Sequence, residues 1–461
     1  MSETLSRDLL DRSATELVAA LAARQVSAAE LADQAIARIE ARDGPINAVV
    51  VRDFDRARIA ARAADAALAR GERGALLGLP MTVKESHNVA GLATTWGFEH
   101  ARGFVAPEDA VGVARLKAAG AVILGKTNIP VSLADWQSAN PIYGRTRNPY
   151  DLSRSPGGSS GGAAAAVAAG MVPLEFGSDI GGSIRVPAAF CGVFGHKPSF
   201  GLIPSRGHAP PGVDGAGIPL AVVGPLARTA ADLALALGAT AGPDHPDAKG
   251  YRLALPPMRR TGLADYRVLI LDAHPLAAVD GEIRAALDEL GRGLAKRGTY
   301  VTRSSDRLPD LAKAHEVYGG MMGVAMSRGG PEPSKATAHE WMGLLDGQEM
   351  VRRAWAAFFQ EIDVVLAPVM GTVAFPHVVV GPDTANGLRI DGQPTPYFAQ
   401  LAWPGMATLA NLPATAFPIG QTRAGLPIGA QVIGPYLEDL TTIGFAGLVE
   451  REFGGFVPPK L

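Results

Sequence analysis

The sequence predicts an α/β protein, a single large domain whose buried sheet carries helices on both faces. Three observations point there. From Leu76 onward, short apolar runs alternate with Gly-rich turns and Ala-rich helical stretches, the pattern of strands covered by helices. Of 461 residues, 47% are hydrophobic and 19% charged, enough apolar material for a sizeable core. Gly (55) and Pro (35) are abundant, as many sharp turns between regular elements require.

Taken in order, Ser13 with Glu16 and Ser27 with Glu30 read as capping boxes that start two helices. Leu31, Ala35, Ile36 and Ile39 recur at helical spacing, and Gly44-Pro45 is the expected stop. An Ala-rich third helix is predicted over Phe54 to Ala69, making residues 1–75 a helical scaffold without chemistry. Residues 76–461 form the expected core. Leu79 to Val83 reads as a strand ending at Lys84, Val111 to Ala119 as a helix, and Ala121 to Leu124 as a buried strand. Ala163 to Ala169 reads as helix, Arg267 to Leu271 as strand, Glu282 to Lys296 as an amphipathic helix and Asp363 to Ala367 as a late strand. Pro204–Pro225, Pro243–Pro257 and Gly381–Pro396 read as surface excursions within one domain spanning 1–461. No internal repeat is visible.

Composition narrows the function classes. Lys plus Arg number 43 and Asp plus Glu 45, a net charge of −2, so nothing global favours nucleic acid or an anionic membrane. No stretch approaches the roughly 20 apolar residues of a membrane span, and MSETLSRDLL lacks the apolar core of a secretion signal. Cys191 is the single cysteine, which excludes an intramolecular disulfide and suits a cytoplasmic location.

Several motifs invite a function. Gly120 to Thr127 matches the phosphate-loop pattern GxxxxGK[ST], but the Ala-Val-Ile-Leu between its glycines favours a strand where a flexible loop is needed. Gly158-Ser159-Ser160-Gly161-Gly162 contains GxSxG around Ser160, without a later His that stands out as a partner. The nine His are scattered and no HExxH is present, so no metal or other cofactor is expected. His87 either lines a pocket near Lys84 or ends a strand. Cys191 reads as a small buried residue. Met321, Met322 and Met326 read as core packing or as the lining of an apolar pocket.

Two segments stand apart: Ser155 to Gly162 and Gly177 to Pro187, a Gly-Ser framework interrupted by one helix. Glycines beside buried elements let backbone turn tightly or approach a ligand. Ile180 to Ser183 is therefore placed to aim several N–H groups at one point, as an oxyanion hole demands.

SPGGSSGGAAAAVAAG and GSDIGGSIRVPAAFCGVFGHKPS resemble the signature of the amidase signature family. The likeness extends to GLPMTVKES (Gly78 to Ser86), GKTNIP (Gly125 to Pro130), ANLPATAFP (Ala410 to Pro418) and GLPIGAQVIGP (Gly425 to Pro435). It implies one domain built on a central mixed β-sheet. It also implies Lys84 as base, Ser159 as relay after a cis peptide bond, and Ser183 as nucleophile. The oxyanion amides would be those of Ile180, Gly181, Gly182 and Ser183, with Ser160, Ser178 and Asp179 in support. The spacings, 75 residues from Lys84 to Ser159 and 24 from Ser159 to Ser183, suit the family. Five positions depart from its pattern: Glu85 where Asp is common, Ala163 for Ser, His196 for Leu, and Val131-Ser132 for Glu-Phe. None falls on the three catalytic positions, and His196 receives no role.

A free lysine has a pKa near 10.4, so a base at neutral pH needs burial to favour its neutral form. Lowering it to about 7 takes roughly 4–5 kcal/mol of environmental work. The reading is an enzyme hydrolysing carboxylic amides, with aryl amides, esters and carbamates (urethanes) within reach of the same attack. Its partners are a small-molecule substrate and water, with neither nucleic acid nor membrane, and a homodimer is left open. The alternative is the amidase (glutaminase) subunit of a tRNA-dependent amidotransferase. A third reading, nucleotide binding through Gly120 to Thr127, follows the weaker motif. Substrate size, chain length and stereochemistry fall to Pro204–Gly217, Tyr318–Met326 and Gly381–Pro396, read as loops.

Overall fold

The structure, a computed structural model, describes residues 9–213, 215–328, 334–378 and 387–461. Both capping boxes form: Ser13 with Glu16 opens α1 (Ala14–Ala22) and Ser27 with Glu30 opens α2 (Ala28–Ile46), satisfying N–H groups that a helix start leaves unpaired. α2 runs through Gly44-Pro45, past the expected stop. It ends where Asn47 turns left-handed (φ 60) and donates to Asp43 O at 2.7 Å. The Asp43 carboxylate then accepts from Ala48 N–H at 2.6 Å and steers the chain into β1 (Val49–Arg52). Residues 1–75 are thus not purely helical, because the β-branched run Val49–Val51 forms a sheet edge. α3 (Phe54–Ala69) follows with the predicted bounds.

β2 (Pro80–Lys84) and β3 (Val122–Thr127) flank α4 (Val111–Ala118). β3 extends through Gly125, Lys126 and Thr127, so the phosphate-loop pattern is strand throughout its second half. Lys126 is buried and donates to Ala93 O and, at 2.7 Å, to Thr94 Oγ1. A small ladder, β4 (Ala139–Asn140) with β5 (Gly144–Arg145), precedes α5 (Gly161–Ala168), β6 (Leu174–Asp179), α6 (Arg185–Phe190), β7 (Phe194–Lys197), β8 (Val222–Ala227) and α7 (Ala230–Thr240). Then come β9 (Arg267–Ile270), α8 (Gly281–Lys296), β10 (Tyr300–Thr302), α9 (Leu311–Ser327), α10 (Ala338–Phe358), β11 (Val364–Pro368), the hairpin β12 (Leu388–Ile390) and β13 (Gln393–Thr395), α11 (Ala402–Leu409), β14 (Ala414–Gln421), β15 (Pro427–Ile433) and α12 (Asp439–Phe453).

Among the described residues, eleven strands form one mixed sheet in the order β1-β3-β2-β6-β8-β7-β14-β15-β11-β9-β10. β3, β2 and β6 run parallel, so Thr127, Lys84 and Asp179 end at the same edge. The outer strands β11, β9 and β10 form a second parallel group. Every residue of β2, β3, β6 and β8 is buried, as in strands covered on both faces.

Three readings of loops change. Pro204–Pro225 is not an excursion to its end, because Val222 to Pro225 enters the sheet centre as β8, where Pro225 faces Phe176. Tyr318–Met326 lies within α9. Of Gly381–Pro396, residues 381–386 lie outside the described residues and the remainder carries the β12–β13 hairpin. Residues 1–8, most of the polar start, also lie outside them. No helix among the described residues is long and apolar enough to cross a membrane.

The start of α1 is tied down by one carboxylate. Asp232 of α7 accepts from Ala14 N–H (3.0 Å), Thr15 N–H (2.8 Å) and Thr15 Oγ1 (2.8 Å) at the start of α1. Asp232→Ala leaves these donors without their acceptor and is expected to cost about 1–3 kcal/mol. Urea unfolding measures the loss, and steady-state activity should stay at the wild-type level.

Candidate active site

Because β2 is buried along its length, Lys84 at its end reaches into the interior. Its Nζ lies 2.7 Å from Ser159 Oγ and 2.9 Å from Ser178 Oγ. Burial lowers Lys84 to about 7, against the opposing charges of Glu175 and Asp179. Glu175 stands on β6 opposite Thr82 and accepts from Thr127 Oγ1 at 2.6 Å. Burial raises its carboxyl to about 8, and a neutral acid exerts little pull toward a charged lysine.

Ser159 follows a cis Gly158–Ser159 peptide bond and immediately precedes Ser160, the N-cap of α5. The helix start lies so close to the neighbouring backbone that a Cβ on Gly162 would sit 2.4 Å from Asn128 N. Ser160 N–H donates to Ser183 O at 3.0 Å, and its hydroxyl donates to Ser178 O at 3.3 Å. Ser160, the centre of GxSxG, therefore joins the two Gly-Ser segments.

Asp179 organises the turn that carries Ser183. It accepts from Gly182 N–H (3.0 Å), Ile184 N–H (3.1 Å) and Arg185 N–H (3.3 Å), and pairs with the Arg185 guanidinium at 2.9 Å. Burial alone would raise Asp179, but the Arg185 charge holds it down at about 2. Three carbonyls of the turn are also occupied. Tyr318 Oη donates to Ile180 O (2.8 Å), Trp136 Nε1 to Gly181 O (2.9 Å), and Val186 N–H to Gly182 O (2.7 Å). In a trans peptide, N–H and C=O point in opposite directions, so the N–H groups of Gly181 and Ser183 are turned away from those anchors. The N–H groups of Ile180, Gly181 and Ser183 donate to nothing among the described residues. Gly182 departs from the expected set: its φ of +91 turns its N–H onto Asp179.

Ser159, Ser178, Asp179, Ile180 and Ser183 line one cavity with about 470 Å³ of open space, mouth included. Ser183 Oγ has no hydrogen-bond partner among the described residues. The facing wall includes Trp96, Leu133, His208, Ile218 and Met326. Of the methionine cluster, Met326 lines this cavity, Met321 belongs to a buried cluster with Tyr318, and Met322 packs against that cluster.

The other candidates are not on the cavity lining. His87 is buried and pairs with Gly177 O at 3.2 Å. His196 is buried between Thr415 Oγ1 (2.9 Å) and Asp439 (3.0 Å), bracing α12. Cys191 donates to Pro156 O at 3.4 Å, and burial pushes its thiol up. Among the described residues no group of three or more His, Cys, Asp or Glu is placed to hold a metal ion. Trp96 and Trp136 escape sequence reading, because no local pattern marks them, whereas His208 and Tyr318 fall within the segments Pro204–Gly217 and Tyr318–Met326 expected to shape the substrate pocket.

The family model Amidase matches residues 30–328 and 323–443. The chain is 35% identical to a glutamyl-tRNA(Gln) amidotransferase subunit from Anaeromyxobacter sp. (strain K), covering 99% of both chains. It is 32% identical to an acylamidase of Rhodococcus erythropolis, over 95% of this chain and 94% of that one. The crystal structure of a bacterial aryl acylamidase superposes with a TM-score of 0.81 at 26% identity, over 96% of each chain.

Proposed function

This chain belongs to the amidase signature family, and we propose that it hydrolyses carboxylic amides as a free-standing enzyme through an acyl-enzyme on Ser183. The observation that carries this reading is a buried Lys84, lowered to about 7, 2.7 Å from the Ser159 hydroxyl. Neutral Lys84 takes the proton of Ser159 while Ser159 takes that of Ser183, whose oxygen attacks the carbonyl carbon. The developing oxyanion is met by the N–H groups of Ile180, Gly181 and Ser183, each well-placed donor contributing about 10²–10³-fold. Collapse breaks the carbon–nitrogen bond, and Lys84 returns its proton through Ser159 to the leaving nitrogen. Water then attacks the acyl-enzyme by the same path and regenerates Ser183. Asp179 and Ser160 hold the turn and take no proton. Ser178 shares Lys84 Nζ with Ser159, which supports a role in orienting the amine.

A second reading, membership of a multi-subunit amidotransferase as its amidase component, is favoured by the 35% identity to an amidotransferase subunit. Purified alone, the chain is expected to hydrolyse simple amides without glutaminase activity. Glutamine hydrolysis that appears only with further subunits would favour the second reading.

Lys84→Ala and Ser183→Ala should each lower kcat by at least about 10³-fold while circular dichroism remains that of the wild type. Activity near the wild-type level in either variant removes the mechanism. A protonated Lys84 cannot accept a proton, so kcat/KM should fall about tenfold per unit as pH drops below about 7 and level off above it. A profile that peaks below pH 6 contradicts a lysine base.

A further inference from the structure

The residues that follow Lys84 build a wall of the same cavity. Glu85 is fully buried. Its carboxylate accepts from Thr95 N–H (2.6 Å), Thr95 Oγ1 (2.8 Å) and Trp96 N–H (3.1 Å). Hydrogen bonds to a carboxylate are among the stronger ones a protein makes, and here two hold Thr95 and one holds the backbone of Trp96, a non-glycine residue at φ +54. Left-handed backbone is unfavourable for such a residue, so the surroundings must hold it there. The Trp96 indole N–H donates to Ser86 O at 3.0 Å, and Ser86 Oγ pairs with His208 Nε2 at 2.9 Å. The Trp96 and His208 rings lie 5.1 Å apart, tilted by 50°. Both face the cavity that holds Ser159 and Ser183. Glu85, the position where Asp is common in the family, thus has an extra methylene that carries its carboxylate toward the Thr95–Trp96 backbone.

The Trp96–His208 face of the wall carries no charged side chain. Burial, reinforced by His87 and Lys84, holds His208 well below its ordinary value. Among the described residues, Asp179 is the one acidic residue on the lining and is paired with Arg185. Arg328, the one arginine or lysine there among the described residues, donates to the Ala216 and Gly217 carbonyls. Leu133, Ile218 and Met326 complete an apolar surface, and aromatic faces attract flat rings beyond the area they bury.

We infer that Glu85 is a positioning residue that fixes Trp96 against His208, and that this wall selects amides carrying an uncharged planar ring over saturated ones of similar size. The inference rests on the reading of this cavity as the substrate site of an amidase. Benzamide and cyclohexanecarboxamide separate planarity from size, and calorimetric titration into the Ser183→Ala protein reads binding without turnover. Benzamide should bind more tightly by about fivefold. Adding Glu85→Gln should bring the two ligands to within about twofold of each other, whereas a merely structural role would weaken both alike. Trp96→Phe should keep the preference and Trp96→Leu should lose it, which reads the wall even if the Glu85 variant does not fold. Equal binding, absence of benzamide binding, or a preference that survives Trp96→Leu overturns the wall. A ratio unchanged by Glu85→Gln overturns the positioning role. Failure of the amidase reading itself looks different: benzamide still binds preferentially, but the protein with Ser183 intact releases ammonia from neither amide.

Discussion

The buried pair of Asp179 and Arg185 is the interaction on which the site depends. Neither side chain is exposed. Arg185 also donates to Pro404 O (3.0 Å), Gln431 Oε1 (2.7 Å) and Thr408 Oγ1 (2.9 Å). One guanidinium therefore ties the Ser183 turn to α11 and β15, which lie more than two hundred residues later in the chain. Removing either partner of such a pair leaves an uncompensated charge in the interior, commonly a loss of about 3–5 kcal/mol. The turn is consequently held to the sheet it hangs from, and N–H groups that would meet a developing charge are placed before it forms.

Dryness is the companion constraint. Lys84 would serve as a base only if water did not solvate its ammonium form, and parallel strands covered on both faces supply that condition. Glu175 and Asp179 are the nearest threats, since a carboxylate beside an amine favours the cation. The fold answers each separately. Glu175 is buried enough to retain its proton near neutral pH, and the Asp179 charge is engaged by Arg185 and three backbone N–H groups.

What the sequence discloses follows from how local each rule is. The capping boxes at Ser13 and Ser27 are decided within four residues, and Phe54–Ala69 carries a full helical period; all of these are legible. β8 is hidden, because Pro225 and its neighbouring glycine read as loop and only burial on both faces makes the segment a strand. β1 is hidden by its brevity between two helices. Within the site, the Gly-Ser segments are conspicuous because turns and close approaches demand those residues. The direction of each amide is not: the Gly182 N–H turns to Asp179, and Trp136 and Tyr318 anchor the turn from 45 and 138 residues away. No single-sequence pattern records contacts of that range.

The parallel register of β3, β2 and β6 has a consequence for how such an enzyme diverges. The groups that would move protons sit on strand ends and short turns between Lys84 and Ser183, braced by the sheet. The surfaces that would meet the rest of a substrate come from connecting segments around Trp96, Leu133, His208 and Ile218, and from the end of α9. Replacement of a connection alters what is admitted without redrawing the proton path, so new specificities can be reached by drift in the periphery while the chemistry is inherited whole.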